Sequence, residues 1–173
     1  MLERHAESRG SAVRRIEARV RRRSDAIEVS YLIEGDLERV LVPAPRPARA
    51  AERLWEHTCC EMFVARKGAS GYQEFNFSPS GEWAGYAFAS YRQAAASKFH
   101  ANAPQVFVHR QGSQLVLEAR APLNMDSAIE AGLSAVIEEQ GGVLSYWALR
   151  HPPGKPDFHH RDSFAMELDE VRD

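Results

Sequence analysis

Two glutamates and the polar residues that share their strand faces are the best candidates in this sequence for binding or catalysis. Segment 72–78 reads Tyr-Gln-Glu-Phe-Asn-Phe-Ser. Because successive side chains of a strand point to opposite faces, we expect Glu74, Asn76 and Ser78 on one face and the two phenylalanines on the other. The first of these faces therefore combines a carboxylate, an amide and a hydroxyl.

Glu61 is expected to project onto the same surface from the preceding strand. In segment 57–63 the alternation gives His57 and Glu61 the same parity. If residues 68–71 join the two strands as a hairpin, Glu61 and Glu74 lie close together. Repulsion and desolvation then raise the pKa of one carboxyl, unless an arginine, a cation or a ligand hydroxyl compensates. The pair indicates either a recess for a polyhydroxylated ligand or a cation, or a solvated sheet face with satisfied carboxylates.

Aromatic side chains could add a stacking surface for a sugar ring or a macrocycle. Trp55 precedes the strand of Glu61, and Trp83 follows the strand of Glu74. Both tryptophans also fit a role in the hydrophobic core. Further aromatic candidates of the same kind are Tyr86, Tyr91 and Trp147.

Four histidines could ligate a metal ion or a haem iron, but none stands at a metal-ligand spacing from a second strong ligand. They are His57, His151, His159 and His160. The sequence also lacks the glycine-rich nucleotide motifs, HExxH, CxxC and GxSxG. The commonest nucleotide, zinc and serine-hydrolase functions are therefore not indicated.

Short alternating segments separated by turn residues must position these side chains. Residues 14–21 alternate apolar residues with arginines, which predicts a half-exposed edge strand or a patch for a polyanion. Turn residues at 79–81, 111–114 and 141–142 predict three hairpins. Segment 126–131 fits either a strand or a short amphipathic helix. Nine or ten strands without βαβ alternation predict an all-β fold, an antiparallel β-sandwich of immunoglobulin-like or jelly-roll type.

Length and composition indicate one globular domain. The chain has 173 residues, of which 44% are hydrophobic and 27% charged, so it contains enough apolar material for a core. We expect residues 1–11 to form a loose N-terminal arm, residues 12–169 a single sandwich domain, and residues 170–173 a C-terminal tail. The 22 basic and 24 acidic side chains give a formal net charge of −2, which argues against nucleic acid as the main partner.

No feature of the sequence indicates a membrane or an oxidising compartment. No stretch approaches the roughly 18 apolar residues of a membrane span, and no apolar run typical of a leader precedes Arg21. The two cysteines, Cys59 and Cys60, are adjacent and poorly placed for a disulfide. We therefore expect a cytoplasmic location and free thiols.

Several segments resemble a known group of binding domains. Residues 54–63, Leu-Trp-Glu-His-Thr-Cys-Cys-Glu-Met-Phe, and residues 72–83, Tyr-Gln-Glu-Phe-Asn-Phe-Ser-Pro-Ser-Gly-Glu-Trp, resemble the DOMON-like domains related to type 9 carbohydrate-binding modules. Segments 145–149 and 155–159 are similar to the closing strands of that group. The resemblance extends over residues 12–169.

The resemblance implies a β-sandwich whose concave face or rim holds a sugar or a haem. By position, the acidic residues of its two best-matching strands are Glu61 and Glu74, the pair that the alternation also selects. Haem-binding relatives use a methionine and a histidine as axial ligands. In this chain Met62 is expected on the face opposite Glu61.

The leading hypothesis is a stand-alone binding domain, rather than an enzyme, for a carbohydrate or similar hydroxylated ligand. One alternative is a haem module with His57, His151 or His159 as axial ligand. Another is a glycoside-active enzyme, in which two carboxylates stand roughly 5 Å apart or farther. Haem and Ca²⁺ are the cofactors to consider, no metal ligand is assigned, and a protein partner is a further alternative. The predicted ligand-binding residues are Trp55, His57, Glu61, Glu74, Asn76, Ser78, Trp83 and His159.

Overall fold

The computed structural model describes residues 1–96 and 102–171, and these residues form strands joined by turns and loops. Two short 3-10 helices, Leu54–Glu56 and Arg161–Ser163, are the helical segments of this part of the chain. Its twelve strands are β1 (Glu3–Arg4), β2 (Val13–Arg22), β3 (Ala26–Gly35), β4 (Cys59–Arg66), β5 (Tyr72–Phe77), β6 (Trp83–Ser90), β7 (Gln93–Ala94), β8 (Gln105–Gln111), β9 (Gln114–Pro122), β10 (Ile129–Glu139), β11 (Val143–Ala148) and β12 (Met166–Leu168).

The strands form two antiparallel sheets. The large sheet has eight strands in the order β1-β11-β10-β4-β5-β6-β7, with β12 paired to the start of β10. The small sheet has the order β2-β3-β9-β8. This arrangement is the all-β antiparallel sandwich that the alternation of apolar and polar residues predicts.

The hydrophobic core fills the space between the two sheets. Most strands of both sheets contribute apolar side chains to it, whereas the outer face of the large sheet also carries buried apolar residues such as Phe63. Met62 belongs to the core between the sheets and is fully buried, on the face of β4 opposite Glu61 as the sequence predicted. The largest fully buried side chains of the core include Ile16, Ile27, Tyr31, Phe75, Phe77 and Leu117.

The N-terminal segment is not the loose arm expected from its sequence. Glu3 and Arg4 extend the edge of the large sheet by pairing with β11. Leu2 and His5 are buried, and the backbone N–H of Leu2 donates to the carbonyl of Ile16. The expectation was wrong because two paired residues are too short to show the alternation that marks a strand.

Two further expectations changed in detail, and a third concerns residues that are only partly described. Segment 126–131 contains no helix, because β10 already begins at Ile129 and places Ile129 and Ala131 in the interior. The strand count exceeds nine or ten because β1, β7 and β12 have only two or three residues each. The predicted tail 170–173 falls partly outside the described residues. No helix in the described residues has the length and apolar character needed to cross a membrane.

Candidate functional site

A cavity of about 550 Å³ lies on the outer face of the large sheet, the face directed away from the small sheet. Side chains of β4, β5 and β6 form its floor, and its walls come from β10, β11, the helix 54–56 and the segment 156–159. The volume lies within the range of roughly 300–1,000 Å³ typical of small-molecule sites.

Glu61 occupies the middle of the floor, on β4. It pairs across the sheet with Ser134 of β10 on one side and with Asn76 of β5 on the other. Glu61 is only 3% exposed, and its carboxylate accepts one hydrogen bond from the described residues, donated by the Ser134 hydroxyl at 3.5 Å. Burial, and after it repulsion from Glu74, raises the pKa of Glu61 well above its ordinary value.

Glu74 lies on the same face of β5, diagonally across from Glu61. Residues in this relation are roughly 7 to 8 Å apart in antiparallel sheets. Glu74 is 5% exposed, and its Oε1 accepts a hydrogen bond of 2.9 Å from Nδ2 of Asn76. Burial raises the pKa of Glu74 to about 7, although the Asn76 hydrogen bond and the charge of Arg92 oppose this change.

His159 contributes a neutral imidazole next to Glu74. The Tyr72 oxygen accepts a hydrogen bond from the backbone N–H of Arg92 at 3.1 Å and lies 2.8 Å from Nδ1 of His159. Burial, with the charge of Arg92, lowers the pKa of His159 to about 4. The ring is therefore neutral at pH 7, and its Nε2 lies 3.7 Å from Oε2 of Glu74.

Arg92 is the arginine that lines the cavity, and its conformation is unusual. Its φ of 54° places it in the left-handed region, which non-glycine residues rarely adopt. Its guanidinium pairs with Asp157 at 2.9 Å, and the Tyr91 hydroxyl donates to the same carboxylate at 2.5 Å. This pairing connects the turn after β6 to the segment that carries His159. It therefore fixes these two parts of the cavity wall relative to each other.

Aromatic side chains make up much of the wall. Trp55 is 41% exposed, and its ring meets Tyr86 edge to face with centroids 5.7 Å apart. Tyr86 pairs directly with Glu74 across the sheet, so an aromatic ring stands beside a carboxyl of the floor. On the other side, Tyr146 and Phe158 contact each other at 6.2 Å between centroids.

The segment before Trp55 is anchored to the β5–β6 hairpin. Ala50 forms a parallel bridge with Trp83. The buried carboxylate of Glu82 accepts a hydrogen bond from Nε of Arg49 at 2.8 Å. Because these contacts fix the loop immediately before the helix 54–56, they position Trp55 at the mouth of the cavity.

The structure brings four of the eight predicted site residues together in this cavity. Trp55, Glu61, Glu74 and His159 all line it. Asn76 lies beside them but is fully buried, and it contacts the site through its hydrogen bond to Glu74.

The other three predicted residues lie elsewhere. His57 is on the exposed surface, where Nδ1 lies 2.8 Å from a carboxylate oxygen of Glu138. Ser78 accepts a hydrogen bond from the hydroxyl of Ser80 in the β5–β6 turn. Trp83 packs against the core between the sheets, because its position on β6 has the parity opposite to Tyr86. The placement of Trp83 corrects the expectation that it provides a stacking surface for a ligand.

The lining residues that the sequence analysis did not select include Tyr146, Arg92 and Phe158. Tyr146 has a signal, since it alternates with the core residue Trp147 on β11 and must face outward. Arg92 and Phe158 lie in a turn and a loop, where no periodicity indicates the direction of a side chain. Long-range packing alone brings them to the cavity.

The three histidines considered as haem ligands, His57, His151 and His159, each already have a polar partner among the described residues. Nε2 of His151 is 2.8 Å from the carbonyl of Glu3, and His57 and His159 have the partners given above. Met62 lies in the core on the opposite side of β4. Within residues 1–96 and 102–171, no group of three or more histidine, cysteine or acidic side chains could hold a metal ion.

Comparisons with known proteins give matches at the level of structure. No family profile matches the chain, and no curated protein matches it. A candidate carbohydrate-binding protein from Bacteroides uniformis ATCC 8492 superposes with a TM-score of 0.56 and 14% identity, covering 86% of this chain and 75% of that chain. A family 9 carbohydrate-binding module from Caldicellulosiruptor kristjanssonii, in complex with cellotriose, gives a TM-score of 0.51 with 9% identity over 83% of this chain and 70% of that one.

A family 9 module of the same organism, in complex with glucose, gives a TM-score of 0.50 with 10% identity, covering 88% of this chain and 76% of the other. This chain has the fold of the family 9 carbohydrate-binding modules. At these identities the likeness to family 9 concerns the fold. The relation to DOMON domains stays a prediction.

Proposed function

We propose that this protein binds a carbohydrate in the cavity on the outer face of the large sheet. The observation that carries the proposal is the combination of aromatic walls with a floor of hydrogen-bonding acids in one concave site. A sugar ring has apolar C–H faces and a rim of hydroxyls, so it needs both kinds of surface.

The aromatic walls would contact the faces of the ring. Trp55 and Tyr86 stand at one side of the cavity, and Tyr146 and Phe158 stand at another. Rigid aromatic side chains give a large contact area at a small cost in conformational entropy. A sugar ring entering between these walls would cover the part of Trp55 that is now exposed.

The floor would bind the hydroxyls. Carboxylate oxygens of Glu61 and Glu74 accept hydrogen bonds from hydroxyl groups, and Nε2 of the neutral His159 ring accepts or donates one according to its tautomer. Since both acids are more than nine-tenths buried, hydrogen bonds to them form in a site with little competing water. The solved family 9 modules in complex with glucose and cellotriose support a sugar as the ligand class.

Tryptophan fluorescence tests the proposal directly. Of the three tryptophans, Trp83 and Trp147 pack in the core, and Trp55 is exposed at the cavity. A panel of neutral mono- and disaccharides, with glucose and cellobiose among them, should change the emission of the protein in a saturable way. Trp55→Phe should remove most of that change.

Calorimetric titration of the same sugars gives the affinities. We expect Trp55→Ala and Tyr86→Ala to weaken sugar binding by about tenfold or more, since each removes one aromatic wall. The matched control is Phe107→Ala, because Phe107 is 62% exposed on the small sheet and should leave binding unchanged. Wild-type affinity in both wall variants, or no binding of any sugar, would rule out the proposal.

A further inference from the structure

The cavity contains two acidic groups that form no ion pair with an arginine or lysine of residues 1–96 and 102–171. Three glutamates line it, Glu56, Glu61 and Glu74. Glu56 is paired with Arg53 at 2.7 Å, outside the floor. Among the described residues, neither Glu61 nor Glu74 forms an ion pair with an arginine or lysine.

The cationic group of the cavity wall is already paired. Arg92 directs its guanidinium to Asp157, and its charge lowers the pKa of Glu74 without forming an ion pair with that carboxyl. His159 lies within 3.7 Å of Glu74, but its imidazole is neutral at pH 7. The floor therefore presents two carboxyls whose partners in the described residues are the neutral groups Ser134, Asn76 and His159.

Burial of such a pair destabilises the protein when it is free of ligand. A carboxylate that leaves water without a counter-ion loses solvation that neutral hydrogen bonds replace only in part. The pKa of Glu74, raised to about 7, reflects this loss. A positive charge on a ligand would supply the missing counter-ion, whereas an uncharged ligand would leave the electrostatic cost in place.

We propose that the preferred ligand is a sugar bearing a free primary ammonium group, a 2-amino sugar unit, with Glu61 and Glu74 as its counter-ions. This inference rests on the proposed carbohydrate-binding function of the same cavity and specifies its ligand class. The three N–H donors of an ammonium match carboxylate acceptors that lie on one face of two paired strands.

An organic cation fits the site better than a metal ion does. The described residues contain no group of three ligating side chains, and two carboxyls alone leave most positions of a Ca²⁺ ion to water. The rings of Trp55, Tyr86 and Tyr146 line the same cavity and attract an ammonium through their π faces. Aromatic walls around a pair of acids therefore favour a cation that is part of an organic molecule.

The test compares three sugars that differ at one position. Glucosamine, glucose and N-acetylglucosamine are titrated by calorimetry at pH 7.5, where an amine with a pKa of roughly 8 is mostly protonated and Glu74, with a pKa of about 7, is mostly ionised. We expect glucosamine to bind at least about tenfold more tightly than glucose, with N-acetylglucosamine no tighter than glucose. The acetylated sugar keeps the ring and the nitrogen but has no charge.

The double variant Glu61→Gln/Glu74→Gln tests whether the two acids cause this preference. Glutamine has almost the same shape and keeps one acceptor but carries no charge, so the variant should weaken glucosamine binding more than glucose binding, and the ratio of glucosamine to glucose affinity should fall to about one. Glu118→Gln, on the exposed face of β9, is the matched control and should keep the full ratio. If the double variant fails to fold, the single variant Glu74→Gln must reduce the ratio.

The outcomes separate this inference from the function on which it rests. Equal affinities for glucosamine and glucose would overturn the ammonium proposal and leave carbohydrate binding in place. A preference that requires added Ca²⁺, or one that persists in the glutamine variants, would also overturn it. Absence of binding by all three sugars would contradict both proposals.

Discussion

The outer faces of both sheets carry charged side chains at alternating strand positions, but these side chains differ in burial and in ion pairing. On the small sheet, charged side chains stay near water and pair with one another. Arg120 pairs with Asp25 at 2.8 Å and with Glu28 at 3.3 Å, and Arg23 pairs with Glu28 at 3.2 Å. On the large sheet, Glu61 and Glu74 are buried and have no arginine or lysine partner among the described residues.

The difference arises from what covers each face. The segment 156–164 and the helix 54–56 fold over the large sheet, and the described residues place no comparable segment over the small sheet. These two segments exclude water from polar side chains on the outer face of the large sheet. The comparison shows that a charged face is ordinary surface when solvated, and becomes a site when other segments enclose it.

Truncation of Phe63 should have the largest effect on stability. Phe63 is 1% exposed on the outer face of the large sheet and packs against Phe164, Tyr72 and His159. We expect Phe63→Ala to lower the free energy of unfolding by about 3–5 kcal/mol, as for other buried phenylalanines. Phe107→Ala, on the outer face of the small sheet, should change it by less than about 0.5 kcal/mol. Urea denaturation measures both, and similar losses would contradict the contrast between the faces.

Replacement of Glu74 should stabilise the ligand-free protein at alkaline pH. The pKa of Glu74 is about 7 in the folded protein and roughly 4.3 in an unfolded chain, so folding disfavours the charged form. The contribution of the Glu74 carboxyl to wild-type stability is fully present below its pKa in the unfolded chain and is lost as the pH rises through 7. Glu74→Gln should therefore exceed the wild type by about 3–4 kcal/mol at pH 8 and match it near pH 4.

The difference between variant and wild type isolates this titration. His159, whose pKa is lowered to about 4, contributes the opposite trend, with stability lost as the pH falls, but it is present in both proteins. Glu118→Gln on the small sheet is the control and should show no comparable pH dependence. A constant difference between Glu74→Gln and wild type from pH 4 to pH 8 would contradict the prediction.

Loss of an ion pair on the small sheet should have the smallest effect. Arg120 pairs with Asp25 and Glu28 on a face that is largely solvated. Arg120→Ala should lower the free energy of unfolding by less than about 1 kcal/mol, because water solvates the partners that remain. The effect should shrink further at high salt. A thermal melt measures it, and a larger, salt-independent loss would mean that this face is not the solvated surface described above.

The alternation in the sequence predicted much of the sandwich and half of the site. It predicted the hairpin β4–β5 with Glu61 and Glu74 on one face, because a period of two fixes the direction of every side chain in a strand. The same reasoning placed Met62 on the face opposite Glu61, which the structure shows to be the core side of β4. The alternation failed at β1, where two residues are too few to reveal a period.

The incorrect prediction for Trp83 shows that residue type alone does not identify a ligand-binding residue. Trp83 was selected for its chemistry, although its parity with Phe75 and Phe77 across the hairpin places it in the core. Tyr86, three residues later, has the outward parity and lines the cavity. The period of two shows that Trp83 and Tyr86 face opposite sides of the sheet. The register of β5 with β6 is needed to show which of the two sides is the core.

The sequence by itself determined which side chains share a face, since that property depends on neighbours one or two positions away. It therefore selected the two acids of the floor and the sandwich that carries them. Only the tertiary structure decided that this face is enclosed, because the segments that cover it come from distant parts of the chain. His159 reaches Tyr72 across 87 positions, and Arg92 reaches Asp157 across 65. Such contacts depend on the packing of loops, which have no repeating pattern in the sequence.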